Sequence, residues 1–451
     1  MSNKVKTTKM NQSKQELVPK LRFPEFNDDG EWRIEELGSV CDVRDGTHDS
    51  PQFYNTGKPL ITSKNLLSNG VMDLDNVSFI SEEDYEKINK RSKVNIGDIV
   101  FGMIGTIGNP VLVKDSGFAI KNVALIKQKT DLLNSYLVHF LDSQYIIERF
   151  KTLHTGNTQK FIALGQIRKL SFPLPKKQEQ QKIADCLSSI DDLITAESKK
   201  LEFIKNHKKG LMQNLFPPEG KTIPNFRFPE FKGDGEWEKL TLSDVYSFKV
   251  TNSFSREKLN YENGLVKNIH YGDIHTKFST LFDITKESVP FVNLSQEIAN
   301  IKTDNYCIEG DIILADASED MNDIGKSIEI VNLNNEKLLS GLHTLLARQK
   351  KNRLKVGFGG YLFKSQCIRS QIQKEAQGAK VLGISATRLS NIKIIFPKKK
   401  QEQQKIANCL SSIDDLITAQ IKKIDMLKKH KKGLMQQIFP SPDDQINHQS
   451  K

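Results

Sequence analysis

Cysteine and tryptophan are both scarce, with five and two residues in a chain of 451. The cysteines (Cys41, Cys186, Cys307, Cys367 and Cys409) are odd in number, scattered and never in CxxC spacing. That pattern argues against a disulfide framework or a thiolate zinc site and for reduced thiols in a cytosol. No apolar run reaches the length of a membrane span. The first twenty residues are polar and Lys-rich and lack the apolar core of a leader, so 1–20 is expected to be a flexible basic tail.

Catalytic motifs are missing as well. There is no HExxH, no nucleophile elbow and no adenine-methyltransferase tetrapeptide of the Asn/Asp-Pro-Pro-aromatic kind. The glycines of FGMIGTIG, Gly102, Gly105 and Gly108, do not follow nucleotide-loop spacing and fit a hairpin better. Gly325-Lys326-Ser327 resembles the end of a P-loop, but Asp320 stands where its first glycine belongs. The nine histidines are dispersed. Asp191-Asp192 and Asp414-Asp415 pair carboxylates, yet on a helical pattern they read as a solvated face.

What the chain does have, it has twice. The stretch from Lys176 to Pro217 returns from Lys399 to Pro440 with most positions identical. In the first copy Ile183, Leu187, Ile190, Ile194, Leu201, Ile204, Leu211 and Leu215 fall on alternating three- and four-residue steps. In the second, Ile406, Leu410, Ile413, Ile417, Ile424, Leu427, Leu434 and Ile438 repeat that spacing. This is the narrow a/d seam of a coiled coil. Polar residues interrupt it at Glu197 and Lys208, and again at Gln420 and Lys431. Prolines flank the first copy as start and stop signals. A helix with so narrow a stripe needs a partner. The matching seam lengths favour an intramolecular pair, with homodimerisation as the alternative.

A second signature opens each half. RFPEFNDDGEW runs from Arg22 to Trp32 and RFPEFKGDGEW from Arg227 to Trp237, placing both tryptophans at matched positions. Its aromatics are expected to pack on the domain that follows. The intervening sequences have diverged but share a grammar. GDIVFGMIG (Gly97 to Gly105) and GDIILADAS (Gly310 to Ser318) read as a turn and a buried strand. FAIKNVALIKQ and LSGLHTLLARQ read as further strands, and one helix follows each, near 134–153 and 360–376. Polar glycine loops, HTGNTQK and QGAKVLG, precede a closing apolar strand. The expected fold is α+β: two mixed α/β domains separated by a long antiparallel helix pair, with an internal pseudo-twofold repeat. Its parts are a tail (1–20), a first domain (21–175), a central helix (176–217), a second domain (221–397), a distal helix (398–440) and a tail (441–451).

The formal net charge is +11 and the isoelectric point near 9.1, which suits a polyanionic partner. Two related but non-identical domains at a fixed separation suit a target of two different half-sequences. Loop residues between structural segments are the candidates for DNA contact: Lys64, Thr106, Thr158, Lys160, His270, His275, Lys380 and Arg388.

The entry into each long helix, with EQQKIA from Glu179 to Ala184 and from Glu402 to Ala407, and its KKGLMQ ending resemble the specificity subunit of type I restriction–modification enzymes. The resemblance runs from Arg22 to Pro440, with four signature blocks in the family's order. GTIG (Gly105 to Gly108) and GISATRLSNI (Gly383 to Ile392) are similar to phrases of its target-recognition domains; the second domain has no GTIG. The resemblance implies a non-catalytic, cytoplasmic DNA-binding subunit in which each domain reads half of a bipartite double-stranded site. It implies two methyltransferase subunits docked on the helices and two restriction–translocase subunits. It implies no cofactor in this chain, with S-adenosylmethionine and ATP/Mg in the partner subunits. Two rivals stay open at this point: an enzyme in its own right, and a coiled-coil scaffold that binds only proteins.

Overall fold

The computed structural model describes residues 17–152, 161–293 and 296–440. They form two compact units, Met1–Ser198 with Lys422–Lys451, and Lys199–Ile421. Both are α+β and follow one plan.

In the first unit, an antiparallel sheet orders its strands Cys41–Asp45, Val123–Gln128, Ile99–Gly102 and Gly108–Leu112. A second sheet orders Ser78–Ile80, Lys58–Ile61 and Ala119–Ile120, the last two parallel. A two-stranded ribbon, Arg33–Glu36 against Ser171–Leu174, ties the start of the domain to its end. The second unit repeats this. Its larger sheet runs Tyr246–Lys249, Thr344–Gln349, Ile312–Ala315, Ser327–Asn332 and Leu281–Asp283. Its smaller sheet runs Leu259–Asn260, Phe291–Val292, Lys267–Ile269 and Leu338–Ser340, and Glu238–Thr241 pairs with Lys393–Phe396. The FGMIGTIG glycines do form a hairpin, Gly102 opposite Gly108.

The central strands are apolar at every position because their sheets are buried on both faces. Ile99 and Phe101 enter one core cluster and Val100 another. Ile312 and Leu314 likewise enter one cluster, and Ile313 and Ala315 a different one. Successive side chains point to opposite faces, so a run without alternation means apolar cover on both sides.

The helix expected after each central sheet is two helices. Asn134–Leu141 is followed by Gln144–Thr152, and Phe358–Lys364 by Gln366–Glu375. A buried serine makes each break. Ser365 is extended (φ −64°, ψ 146°), its hydroxyl donates to Leu362 O at 2.7 Å, and its carbonyl accepts from Ile368 and Arg369. At the first break Ser143 N donates to Phe140 O and its carbonyl accepts from Ile147 N, while its hydroxyl has no partner among the described residues. At Ser365 the hydroxyl gives the backbone a local alternative to a continuous helix.

The long helices are Lys177–Leu215 and Lys400–Ile438, 39 residues each. All sixteen apolar seam residues are buried or half-buried. In the first unit Asp191 meets Lys431 and Glu197 meets Lys423, so one residue number falls as the other rises and the helices are antiparallel. In the second unit Lys208 donates to Asp414 at 2.5 Å, the counterpart of the 2.8 Å bond from Lys431 to Asp191. Three of the seam's polar breaks, Glu197, Lys208 and Lys431, are therefore paired across the helices. The solvated-face reading fails for Asp191 and Asp414, each of which accepts from a seam lysine; Asp414 also accepts from Tyr361 OH at 2.8 Å.

Each domain core is closed by the start of the helix that follows it and the end of the other. Ile183, Ala184 and Leu187 join Met435, Ile438 and Phe439 in the first. Leu215 and Phe216 join Ile406, Ala407 and Leu410 in the second. Phe439 packs edge-on against Phe140 and Tyr136, with centroids at 5.5 and 5.6 Å. The pairing is thus built within one chain.

The opening signatures do more than pack aromatics. Arg22 makes a two-pronged pair with Glu179, both bonds 2.8 Å, while its third nitrogen donates to Gly30 O and Trp32 Nε1 donates to Glu179. Arg227, Gly235, Trp237 and Glu402 repeat every bond. Glu179 and Glu402 are each 1% exposed. A charge buried that deeply is tolerable only with such complete pairing. Gly30 and Gly235 sit at φ +72° and +71°, where a side chain is strained, which lets their carbonyls turn toward the arginine. Ordered packing begins inside the stretch read as a tail: Leu17 is buried and accepts a backbone bond from Trp32.

Candidate nucleic-acid interface

One end of each domain gathers its loops. In the first domain the strand Val123–Gln128 starts where three other chain segments finish. Gly102 lies opposite Val123, Asp45 opposite Ala124, and Ile61 beside Ile120. The turn Lys121–Asn122 joins the two sheets there. Lys121 N donates to Ile61 O, Asn122 N to Thr47 O, and Thr47 N to Ile120 O. Beyond these strand ends project the hairpin carrying Thr106, the short helix Ser63–Asn65 carrying Lys64, and the Thr47–Ser50 loop. Lys64 and Thr106 are both exposed. Ile104 bridges Phe161. Thr158 and Lys160 lie outside the described residues.

A polar chain crosses this end. Arg91 pairs with Asp45, Asp45 accepts from His48 Nε2 at 2.9 Å, and His48 Nδ1 lies 2.8 Å from Asn122 Oδ1. The bond to Asn122 and the Asp45 carboxylate raise the His48 pKa. Asn122 Oδ1 faces the His48 ring, and its Nδ2 has no partner among the described residues.

The second domain gathers the equivalent loops. Tyr271 N donates to Leu342 O, Asp316 N to His343 O, and Ile384 N to Asp316 O. Lys380 is exposed in the turn closed by the Gln377–Gly383 bridge. The other candidates there are occupied. His270 is 7% exposed, and its Nδ1 accepts from Gly272 N at 3.2 Å as the cap of the helix Tyr271–Thr276. Burial and the nearby Arg256 lower its pKa, so it is held neutral. It is a structural cap rather than an exposed loop contact. His275 is half-buried and bonds Ala317 O through Nε2 at 3.1 Å. Arg388 pairs with Glu375 at 3.2 Å. Lys326 of the GKS triplet donates to His275 O at 2.7 Å, and Ser327 is buried at the start of a strand, so no phosphate cradle forms there.

Sequence reasoning missed Lys121, Asn122, His48, Asp316 and His343 at these ends. A signal for two of them was available: Lys121-Asn122 and His343 are polar interruptions in strand-like runs. Asn122 and His343 both adopt positive φ, +57° and +54°, at the step from the smaller sheet into the larger. Electrostatically the ends differ. The first carries the exposed Lys64 and the half-buried Lys121; at the second Lys326 pairs with Asp323 at 3.3 Å. No His/Cys/Asp/Glu cluster able to hold a metal occurs among the described residues, and no described helix is long and apolar enough to cross a membrane.

A duplicated α+β frame, with the same clamp in each copy and diverged loops at one end of each, defines a binding protein with two related domains. Comparison with known proteins gives that class a family. The model of the type I restriction modification DNA specificity domain matches twice, over 29–206 and 234–428. The MjaX specificity subunit assigned to type I restriction enzymes in Methanocaldococcus jannaschii is 26% identical over 440 residues, covering 94% of this chain and 95% of that protein. The type I restriction enzyme MjaVIII specificity subunit of the same organism is 27% identical over 361 residues, covering 77% and 79%. In fold, the chain is similar to the crystal structure of a type I restriction–modification S subunit from M. genitalium. The TM-score is 0.56 at 15% identity, covering 94% of this chain and 99% of that one. A chain from a structural study of the assembly and conformational transition of the type I R-M system matches with TM-score 0.51 at 16% identity, covering 90% and 96%. The chain belongs to the family of type I restriction–modification DNA specificity subunits, which are non-catalytic components of those systems.

Proposed function

We propose that each domain reads one half of a bipartite DNA site through the loop end described above, and that the paired helices set the gap between the halves. The observation that carries this reading is the repetition of the frame, down to every bond of the arginine–glutamate–tryptophan clamp, around loop ends that share almost no sequence. A constant frame with variable loops separates positioning from readout. The basic balance of the chain supports the phosphate contacts that positioning needs. The helices dock two methyltransferase subunits, two restriction–translocase subunits complete the assembly, and the complex acts on cytoplasmic DNA.

The test of the ruler is a paired insertion. One heptad added after Ala196 and one after Ala419 preserves the seam phase. Each helix lengthens by about 10 Å, which along B-DNA is roughly three base pairs. The complex with its methyltransferase partner is given a library of the two half-sites at varied gaps, and adenine methylation is read by sequencing. The preferred gap should grow by about two to four base pairs. A folded, partner-bound double insertion that keeps the original gap would refute the ruler.

A further inference from the structure

We propose that Asn122 in the first domain and His343 in the second are matched base-reading residues, each held in its reading pose by a polar neighbour. The inference rests on the two-reader function above and assigns it to particular atoms.

The two positions correspond. Each follows the strand of the smaller sheet that runs parallel to its neighbour, Ala119–Ile120 beside Lys58–Ile61 and Leu338–Ser340 beside Lys267–Ile269. Each immediately precedes the strand at the heart of the larger sheet, Val123–Gln128 or Thr344–Gln349. Each takes a left-handed φ that favours glycine or asparagine. A mere connection would be best served by glycine. Both positions instead carry side chains able to donate and accept hydrogen bonds, and a histidine at φ +54° is uncommon.

Asn122 is hydrogen-bonded on one side and open on the other, and His343 stands at ion-pair distance from Asp316 with its far edge open. Asn122 Oδ1 is held by His48, itself held by Asp45, while Nδ2 keeps both hydrogens unused by the described residues. His343 Nδ1 lies 3.3 Å from Asp316, and its ring meets the Tyr271 ring edge-on at 5.3 Å. Its side chain stays 52% exposed, with Nε2 unpartnered among the described residues. A fixed polar atom at the projecting end of a rigid sheet costs little further entropy on contact and tolerates only a complementary base edge. The free Nδ2 of Asn122, beside the second lone pair of its Oδ1, is the donor–acceptor set that reads adenine. Nε2 of His343, exposed and without a partner among the described residues, is free to meet a base edge.

The experiment uses the full chain complexed with its methyltransferase partner, on a randomised DNA library scored by adenine methylation. Glycine substitutions suit the left-handed backbone and remove only the side chain. Asn122→Gly is expected to lose about 5- to 150-fold discrimination at one base of one half-site, and His343→Gly the same at one base of the other. His48→Ala, which unpins Asn122 without removing it, should relax the same base as Asn122→Gly by a smaller factor. Unchanged preferences would overturn the inference. So would a uniform fall in methylation across all sequences, which marks a phosphate contact or a packing role. The wild-type complex in the same library is the control for the underlying function. If it selects no bipartite site, the two-reader function fails; if it does and the variants match it, only this assignment fails.

Discussion

Glu329 should make the second unit lose stability as the pH rises. It is fully buried in the strand Ser327–Asn332. Its Oε2 accepts from Gly360 N at 2.7 Å, and Oε1 has no partner among the described residues. Burial outweighs the backbone amides of Gly360 and Gly357 and pushes the carboxyl up to about 7. In the unfolded chain the value is about 4.3. The folded value is the higher of the two, so the full stability is present below about pH 4.3 and is lost as pH climbs through 7. Integration gives a loss of about 1 kcal/mol by pH 5 and about 3.6 kcal/mol by pH 8. Glu329→Gln has nothing to ionise. It keeps an acceptor for Gly360 and adds a donor near Tyr246 OH, which also lacks a partner among the described residues. The variant's stability advantage should therefore grow by about 2.5 kcal/mol from pH 5 to pH 8. Urea unfolding followed by fluorescence reads this cleanly. Trp32 and Trp237 are the chain's two tryptophans, one per unit, so a Trp32→Phe background leaves only Trp237 to report. Other titrating groups, including Lys364, whose burial lowers it to about 8, are common to both proteins and cancel in the difference. A difference that stays constant with pH would refute the reasoning.

Two further outcomes follow from the clamps and the seam. Arg227→Ala strands the Glu402 carboxylate at 1% exposure and should destabilise the second unit by about 3–5 kcal/mol, read as a fall in the Trp237 urea midpoint. A loss under about 1 kcal/mol would show that the clamp contributes little. A double-mutant cycle on Lys208→Ala and Asp414→Ala should give a coupling of about 1 kcal/mol. Additivity within about 0.3 kcal/mol would mean that the lysine at this seam position is simply tolerated.

The sequence carried the seam, the domain order and the hairpin because each depends on local period or on repetition. Ile183 to Leu215 and Ile406 to Ile438 announce themselves by spacing, and the seam phase then holds in three dimensions. What escaped was set by tertiary partners. Glu179 and Glu402 stand among polar neighbours at the start of a helix and look solvated until an arginine more than 150 residues away closes on each. Asp191 and Asp414 look solvated for the same reason, since the lysines that bind them lie on the other helix. His270 looks like a loop histidine because nothing local reveals that its ring turns back to cap Gly272. Asn122 and His343 were passed over because their strand runs are otherwise apolar.

Domain exchange tests the account's central claim most directly. Residues 26–170 are replaced by the equivalent part of another specificity subunit, leaving Arg22, the long helices and the second domain in place. Methylation of a randomised library by the exchanged complex is then compared with that of the parent. The account predicts a new sequence in one half-site only, with the other half-site and the gap retained. A change in both halves, or in neither, would contradict two independent readers on one frame.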